Sequence, residues 1–278
     1  MIIRKNRNEL DQMRKSGMLV WQILADLSKM VQEGVTTQDL ELAAEKMMKD
    51  AGAKPAFKGY YTPSAGSKYP YVLCTSVNDQ IVHGMPSAKT KLKKGDIVSI
   101  DTGVQLNGYF GDSAVTVPVG EINESVKKLL EVTKESLELA IDKVRPGNHW
   151  NQPHEAAVRV ITQGLIRLGL IKGSLNRLIK EKAYQPFFNH RTGHWLGIDV
   201  HDVGDYKVGG EWRVLESGMV LTVEPGIYIR PSHHYLKEFW NIGIRIEDDV
   251  LVTHAAPEVL TGGLEKTPEA IERLVSAA

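Results

Sequence analysis

Asp101 and Asp112 are the first chemistry-bearing pair in the chain. Asp101 ends an alternating run, Ile97-Val98-Ser99-Ile100, and Asp112 sits early in a second run containing Val115 and Val117, with Asn107-Gly108 between them. Asn-Gly flanked by strand-like runs predicts a hairpin closed by a two-residue type I′ turn. A regular turn of that kind sets position 101 opposite 114. Asp112 then shares a face with Asp101 and lies diagonal to it, roughly 5–8 Å away. Two like charges so close require one to be protonated, both to be well solvated, or a cation between them. A solvated pair on an exposed hairpin face is the plain alternative.

Further candidates come from the second half. Gly193-His194-Trp195, Val200-His201-Asp202, Val223-Glu224-Pro225-Gly226 and Arg245-Ile246-Glu247-Asp248 each interrupt or end an apolar, strand-like run. A glutamate inside such a run loses its hydration, so something cationic should face Glu224. A salt bridge to Arg245 would satisfy Glu224, and a core hydrogen bond would satisfy His194. Taken together, Asp101, Asp112, His194, Glu224 and Glu247 make four carboxylates and one imidazole. This oxygen-rich set suits divalent ions such as Mn²⁺, Co²⁺ or Fe²⁺. The lone cysteine, Cys74, excludes a thiolate zinc cluster and an internal disulfide framework.

Elements must bring these segments together. Helical spacing predicts a long amphipathic helix over 7–33, a second from Thr36 or Thr37 through Met48, and others over 124–144, 153–170 and 175–183. Thr267 is read as the cap of a last helix, Pro268 to Ser276. Residues 53–70 have no period and read as a long loop, a kind that is often functional. Strands are expected through Cys74, near Ile81, along the aspartate hairpin, and over 195–201, 219–230 and 241–253. Helices followed by strands, twice over, argue for an α+β fold in two related halves, with antiparallel strands inside and helices outside. The seam falls near residues 145–152.

With 278 residues, 42% of them hydrophobic, the chain can bury a substantial core. Lys and Arg balance Asp and Glu at 34 each, so nothing favours nucleic acid or an anionic membrane as a partner. The early charges of MIIRKNRNELDQMRK leave no secretory apolar region, and no run approaches 18 apolar residues. A cytoplasmic protein is the expectation, consistent with one cysteine in a reducing compartment.

The five candidate ligands, in this order and local context, resemble those of the pita-bread metallopeptidases, the family of methionine aminopeptidase, Xaa-Pro aminopeptidase, prolidase and creatinase. The resemblance covers nearly the whole chain. It implies a single catalytic domain over residues 1–278, with pseudo-symmetric halves of about 1–149 and 150–278, and two divalent metal ions. By that likeness Asp101 would hold one ion, Asp112 and Glu247 would bridge the pair, and His194 and Glu224 would complete the other shell. Glu224 would also handle the proton, while His83 and His201 would hydrogen-bond the peptide substrate or the developing oxyanion.

The likeness is of two kinds. Residues 1–149, including CTSVNDQIVHGMPS and GDIVSIDTGVQLNGYFGDSAVTVPVG, resemble bacterial type I methionine aminopeptidase. From about Trp150, QPFFNHRTGHWLGIDVHDVGDY, LESGMVLTVEPGIYI and GIRIEDDVLVT resemble the catalytic domain of Xaa-Pro aminopeptidase. A chimera of the two, or a natural intermediate, is implied. Tyr60 and Cys74 match the methionine side-chain pocket, although Val200 replaces an aromatic wall and the stretch Pro63 to Tyr71 is inserted near its rim. His190 and Arg245 match residues near the imino-acid side of Xaa-Pro aminopeptidase. The expected activity is removal of N-terminal methionine from peptides, with Xaa-Pro aminopeptidase or prolidase activity, or a weakly catalytic or binding-only scaffold, as alternatives.

Overall fold

The computed structural model describes residues 2–62, 66–232 and 234–276. Two helices open it, α1 (Arg7–Met30) and α2 (Thr37–Asp50). Each begins with a capping box, Asn6 with Glu9 and Thr36 with Asp39, which satisfies otherwise orphaned backbone donors. The loop over 53–70 carries β1 (Lys54–Pro55) and a small hairpin pairing Tyr61–Thr62 with Ser67–Lys68; residues 63–65 lie outside the described residues.

Next come β2 (Leu73–Val77), β3 (Ile97–Leu106) and β4 (Tyr109–Pro118). The β3–β4 hairpin turns at Asn107-Gly108, both at positive φ as a type I′ turn requires. Asp101 lies opposite Ala114 and Asp112 opposite Gly103, the register expected from the turn. Along the other edge of β3, β2 and β1 pair end to end, with Cys74 directly opposite Asp101. No strand forms near Ile81.

Helices α3 (Glu124–Asp142), α4 (Asn151–Arg167) and α5 (Leu175–Lys180) follow. The second half then supplies β5 (Val220–Val223), β6 (Gly226–Ile229), β7 (Ile242–Arg245), β8 (Asp248–Leu251) and β9 (Glu258–Val259). α6 (Pro268–Ser276) closes the chain, with Thr267 Oγ1 accepting from the Ala270 amide at 3.1 Å. The run expected as a strand over 195–201 makes a single bridge, Trp195 to Leu221, and otherwise turns away.

In the second half β5 pairs with β8, and β6 with β7. Both ladders keep one register, Val223 opposite Asp248 and Gly226 opposite Arg245. Glu224 therefore lies opposite Glu247 across the gap between them. The two halves meet where Ala114 of β4 bridges Glu247, the Glu247 amide donating to Ala114 O at 3.0 Å. One hydrophobic core runs through both halves, from Val20, Leu24 and Ile100 to Leu221, Ile244 and Val250. Among the described residues no helix is long and apolar enough to cross a membrane.

Candidate metal centre

The junction of the halves gathers the five candidates. Asp101 and Asp112 come from the inner face of the hairpin, Glu224 and Glu247 from the facing gap, and His194 from the segment running beside β5. Asp101, Asp112 and Glu247 are each no more than 5% exposed. One ligand atom each from Asp112, His194 and Glu247 fall within 4.8 Å of one another. His194 Nε2 lies 3.7 Å from Asp112 Oδ2 and 3.9 Å from Glu224 Oε1.

Local structure holds each ligand. The His194 amide donates to Thr222 Oγ1 at 3.0 Å, and Thr222 Oγ1 donates to Glu224 Oε1 at 3.3 Å. Gly193 makes this approach possible, because a Cβ there would sit 2.0 Å from Thr222 O. The Asp112 amide donates to Asp249 Oδ2 at 2.9 Å. The Glu247 carbonyl accepts from Ser113 Oγ at 2.5 Å and Lys266 Nζ at 2.6 Å.

Electrostatics set the centre's character. Four carboxylates converge beside a buried cation, Arg245, which is bonded to Asp101. The salt bridge that would satisfy Glu224 is not the contact Arg245 makes; its backbone, tied to Thr116 Oγ1 on the neighbouring hairpin, aims it at Asp101. Burial, compounded by the neighbouring carboxylates, pushes Asp112 and Glu247 well above the ordinary carboxylate range. Burial also raises Glu224, to about 7, against the opposing pull of Arg245. His194 is pushed down to about 3, by burial and then by His201, so it presents a neutral imidazole. Asp101 Oδ1 and Asp112 Oδ1 are buried with no hydrogen-bond partner. Unpartnered carboxylate oxygens, a neutral histidine and surplus negative charge are the donor set of a divalent-cation site, and the residues present fit such an ion.

The other candidates ring this centre. The His201 ring stands edge-on to His194 and Tyr60, with centroids 4.3 and 5.0 Å away. Burial lowers the pKa of His201 and of His83, whose backbone is held at positive φ. Cys74 is buried beside Asp101, its thiol pushed above the usual range by burial. His190 Nε2 lies 2.9 Å from the Tyr228 hydroxyl, and burial lowers His190 to about 4. Val200 is 1% exposed and packs with Met13 and Leu196. Part of the stretch expected at the pocket rim, residues 63–65, lies outside the described residues.

Sequence reading missed several supports. Lys5, His154, Asp249 and Lys266 all contact the framework of the site, His154 through Thr192 Oγ1 at 2.7 Å. Asp249 could have been noticed as a second acid following Glu247-Asp248. Lys5 and Lys266 carry no local signal, because their partners are distant in sequence.

The chain matches metallopeptidase family M24 over residues 11–254. It is 41% identical over 217 residues to Xaa-Pro aminopeptidase of Escherichia coli, covering 77% of this chain and 49% of that protein. It is 34% identical over 272 residues to methionine aminopeptidase of Clostridium acetobutylicum, covering 94% of this chain and 99% of that protein. Among solved structures, aminopeptidase PepP of Pseudomonas aeruginosa superposes with a TM-score of 0.90 at 40% identity, over 99% of this chain and 60% of that one. The chain thus spans about half the length of the first relative and nearly all of the second. Both alignments are too long to fit within either half, so likeness to each kind crosses the seam.

Proposed function

We propose, for a chain that belongs to metallopeptidase family M24 and has its α+β pita-bread fold, that it is a dinuclear metal-dependent aminopeptidase acting on N-terminal methionine of peptides. The observation that carries this reading is the convergence of four carboxylates and a neutral histidine on unpartnered, buried oxygens. In this reading residues 1–278 form one catalytic unit, supported by the core shared between the halves. Its work belongs in the cytoplasm, where Cys74 stays reduced.

Asp101, Asp112, His194, Glu224 and Glu247 would hold two divalent ions, Mn²⁺, Co²⁺ or Fe²⁺. Such ions supply Lewis acidity, polarising the peptide carbonyl and acidifying water. The chain's own residues do the rest. Glu224 takes a proton from the attacking water and returns it to the leaving amine. His201 and His83, neutral because of burial, hydrogen-bond the substrate or the oxyanion. In this reading Tyr60 and Cys74 are the residues that take the methionine thioether.

Xaa-Pro aminopeptidase activity is the second reading. It is favoured by the His190–Tyr228 pair beside the centre, with Arg245 on the same side, and by the relatives so named. Hydrolysis of Met-Ala-Ser is compared with that of an Xaa-Pro tripeptide, with and without Mn²⁺ or Co²⁺. Metal-dependent cleavage of Met-Ala-Ser with little of the Xaa-Pro peptide is expected. The reverse preference would move the assignment to the second reading, and turnover of neither would overturn both.

A further inference from the structure

We propose that Lys5 is a positioning residue for the imidazoles of His194 and His201, an assignment that rests on the roles given to those histidines above. Lys5 Nζ and Asp202 Oδ2 form an ion pair at 2.8 Å, with both side chains 2% exposed. The ammonium is aimed inward by its own segment: Lys5 Nζ also donates to Ile3 O at 3.0 Å, and the Lys5 amide donates to Gly218 O at 2.7 Å. The pair lies directly on Gly197, where a Cβ would meet Asp202 Oδ2 at 2.1 Å and Lys5 Nζ at 2.4 Å.

From Asp202 the connection runs to both histidines. The Asp202 amide donates to Trp195 O at 2.9 Å, and that same carbonyl lies 3.1 Å from His194 Nδ1. A backbone carbonyl at Nδ1 keeps the proton there and leaves the Nε2 lone pair free. It is Nε2 that faces Asp112 and Glu224. Asp202 is also the residue after His201, and its Oδ1 accepts from the Val203 amide at 3.0 Å, which sets the turn just beyond the His201 ring. The His201 ring stands edge-on between His194 and Tyr60, and that turn fixes the backbone from which it projects.

General stabilisation does not account for the pair. A buried ion pair contributes little beyond what an apolar pair of equal volume would. A neighbouring ion pair, Arg4 with Glu216, is about half exposed and touches neither histidine.

The test compares Lys5→Met, Arg4→Ala and the double variant Lys5→Met/Asp202→Leu, which replaces both charges with apolar groups. Ring-nitrogen NMR of ¹⁵N-histidine-labelled, metal-free protein reads imidazole tautomer and environment, and Mn²⁺-loaded protein is assayed on Met-Ala-Ser. Both Lys5 variants are expected to move the His194 and His201 ring signals and to lower kcat about 10²-fold, with KM changed by less than about threefold. Arg4→Ala is expected to match the parent in both. Parental ring signals in the folded Lys5 variants would overturn the proposal. If neither Lys5 variant folds, the pair is a stability element and the proposal falls. If the parent cleaves neither peptide, the functional reading fails while the ring-nitrogen comparison still decides the positioning role.

Discussion

The guanidinium of Arg245 is bonded to the carboxylate of Asp101 across the junction of the two halves, and both side chains are buried. This contact occupies one oxygen of Asp101 and leaves Oδ1 unpartnered. Arg245 thus tempers the surplus negative charge of the centre without consuming its capacity for a cation.

Removing that cation isolates the acids. Arg245→Met should destabilise the metal-free protein by about 3–5 kcal/mol, the usual cost of breaking one side of a buried pair. Mn²⁺ should then raise its melting temperature more than it raises that of the parent. Calorimetric melts with and without metal check this; a metal-free variant melting like the parent would contradict it.

Asp112 contributes an unpartnered oxygen from a position only 3% exposed. Asp112→Asn should abolish stoichiometric metal binding and peptide hydrolysis. In the absence of metal it should be at least as stable as the parent at pH 8, since one buried like charge is gone. Titration calorimetry with Mn²⁺ and a thermal melt read the two effects separately.

Without metal, the carboxylates should make stability fall as pH rises above about 7, where the buried histidines are already neutral in the folded and unfolded chain alike. Glu224 is raised to about 7, and Asp112 and Glu247 are shifted upward as well. Above about pH 4.5 these groups ionise in the unfolded chain while the folded chain still holds their protons, so the unfolded state is favoured. Their contribution is complete below that value and is lost as pH climbs through 7 and beyond. Bound metal should reverse the trend, because it requires the ionised forms. Melting temperatures between about pH 7 and 9, with chelator and with Mn²⁺, are the measurement.

Gly193→Ala should displace His194. The added Cβ would lie 2.0 Å from the Thr222 carbonyl oxygen, a backbone atom that cannot swing aside. Overpacking of this kind costs about 1–3 kcal/mol. The bound-metal content should fall with it, as measured by elemental analysis after dialysis.

The sequence alone determined the local pieces. Asn107-Gly108 between alternating runs dictates the hairpin and its register, because a two-residue turn leaves one way to pair the strands; the diagonal placement of Asp101 and Asp112 follows. Helical spacing, with the Thr36 and Thr267 caps, locates α1, α2 and α6 for the same local reason. The five candidate ligands were legible as polar residues interrupting apolar runs, where burial without a partner is costly.

Only the tertiary structure decided which of these charges meet. Arg245 reaches Asp101 rather than a glutamate, Glu224 lies opposite Glu247, and Lys5 travels to Asp202 from 197 residues away. Periodicity describes which face of an element is apolar, but it carries no term for the packing of one half's sheet against the other's. Charge pairing across that junction is set by backbone placement at Ala114–Glu247 and by the desolvation that the packed halves impose together.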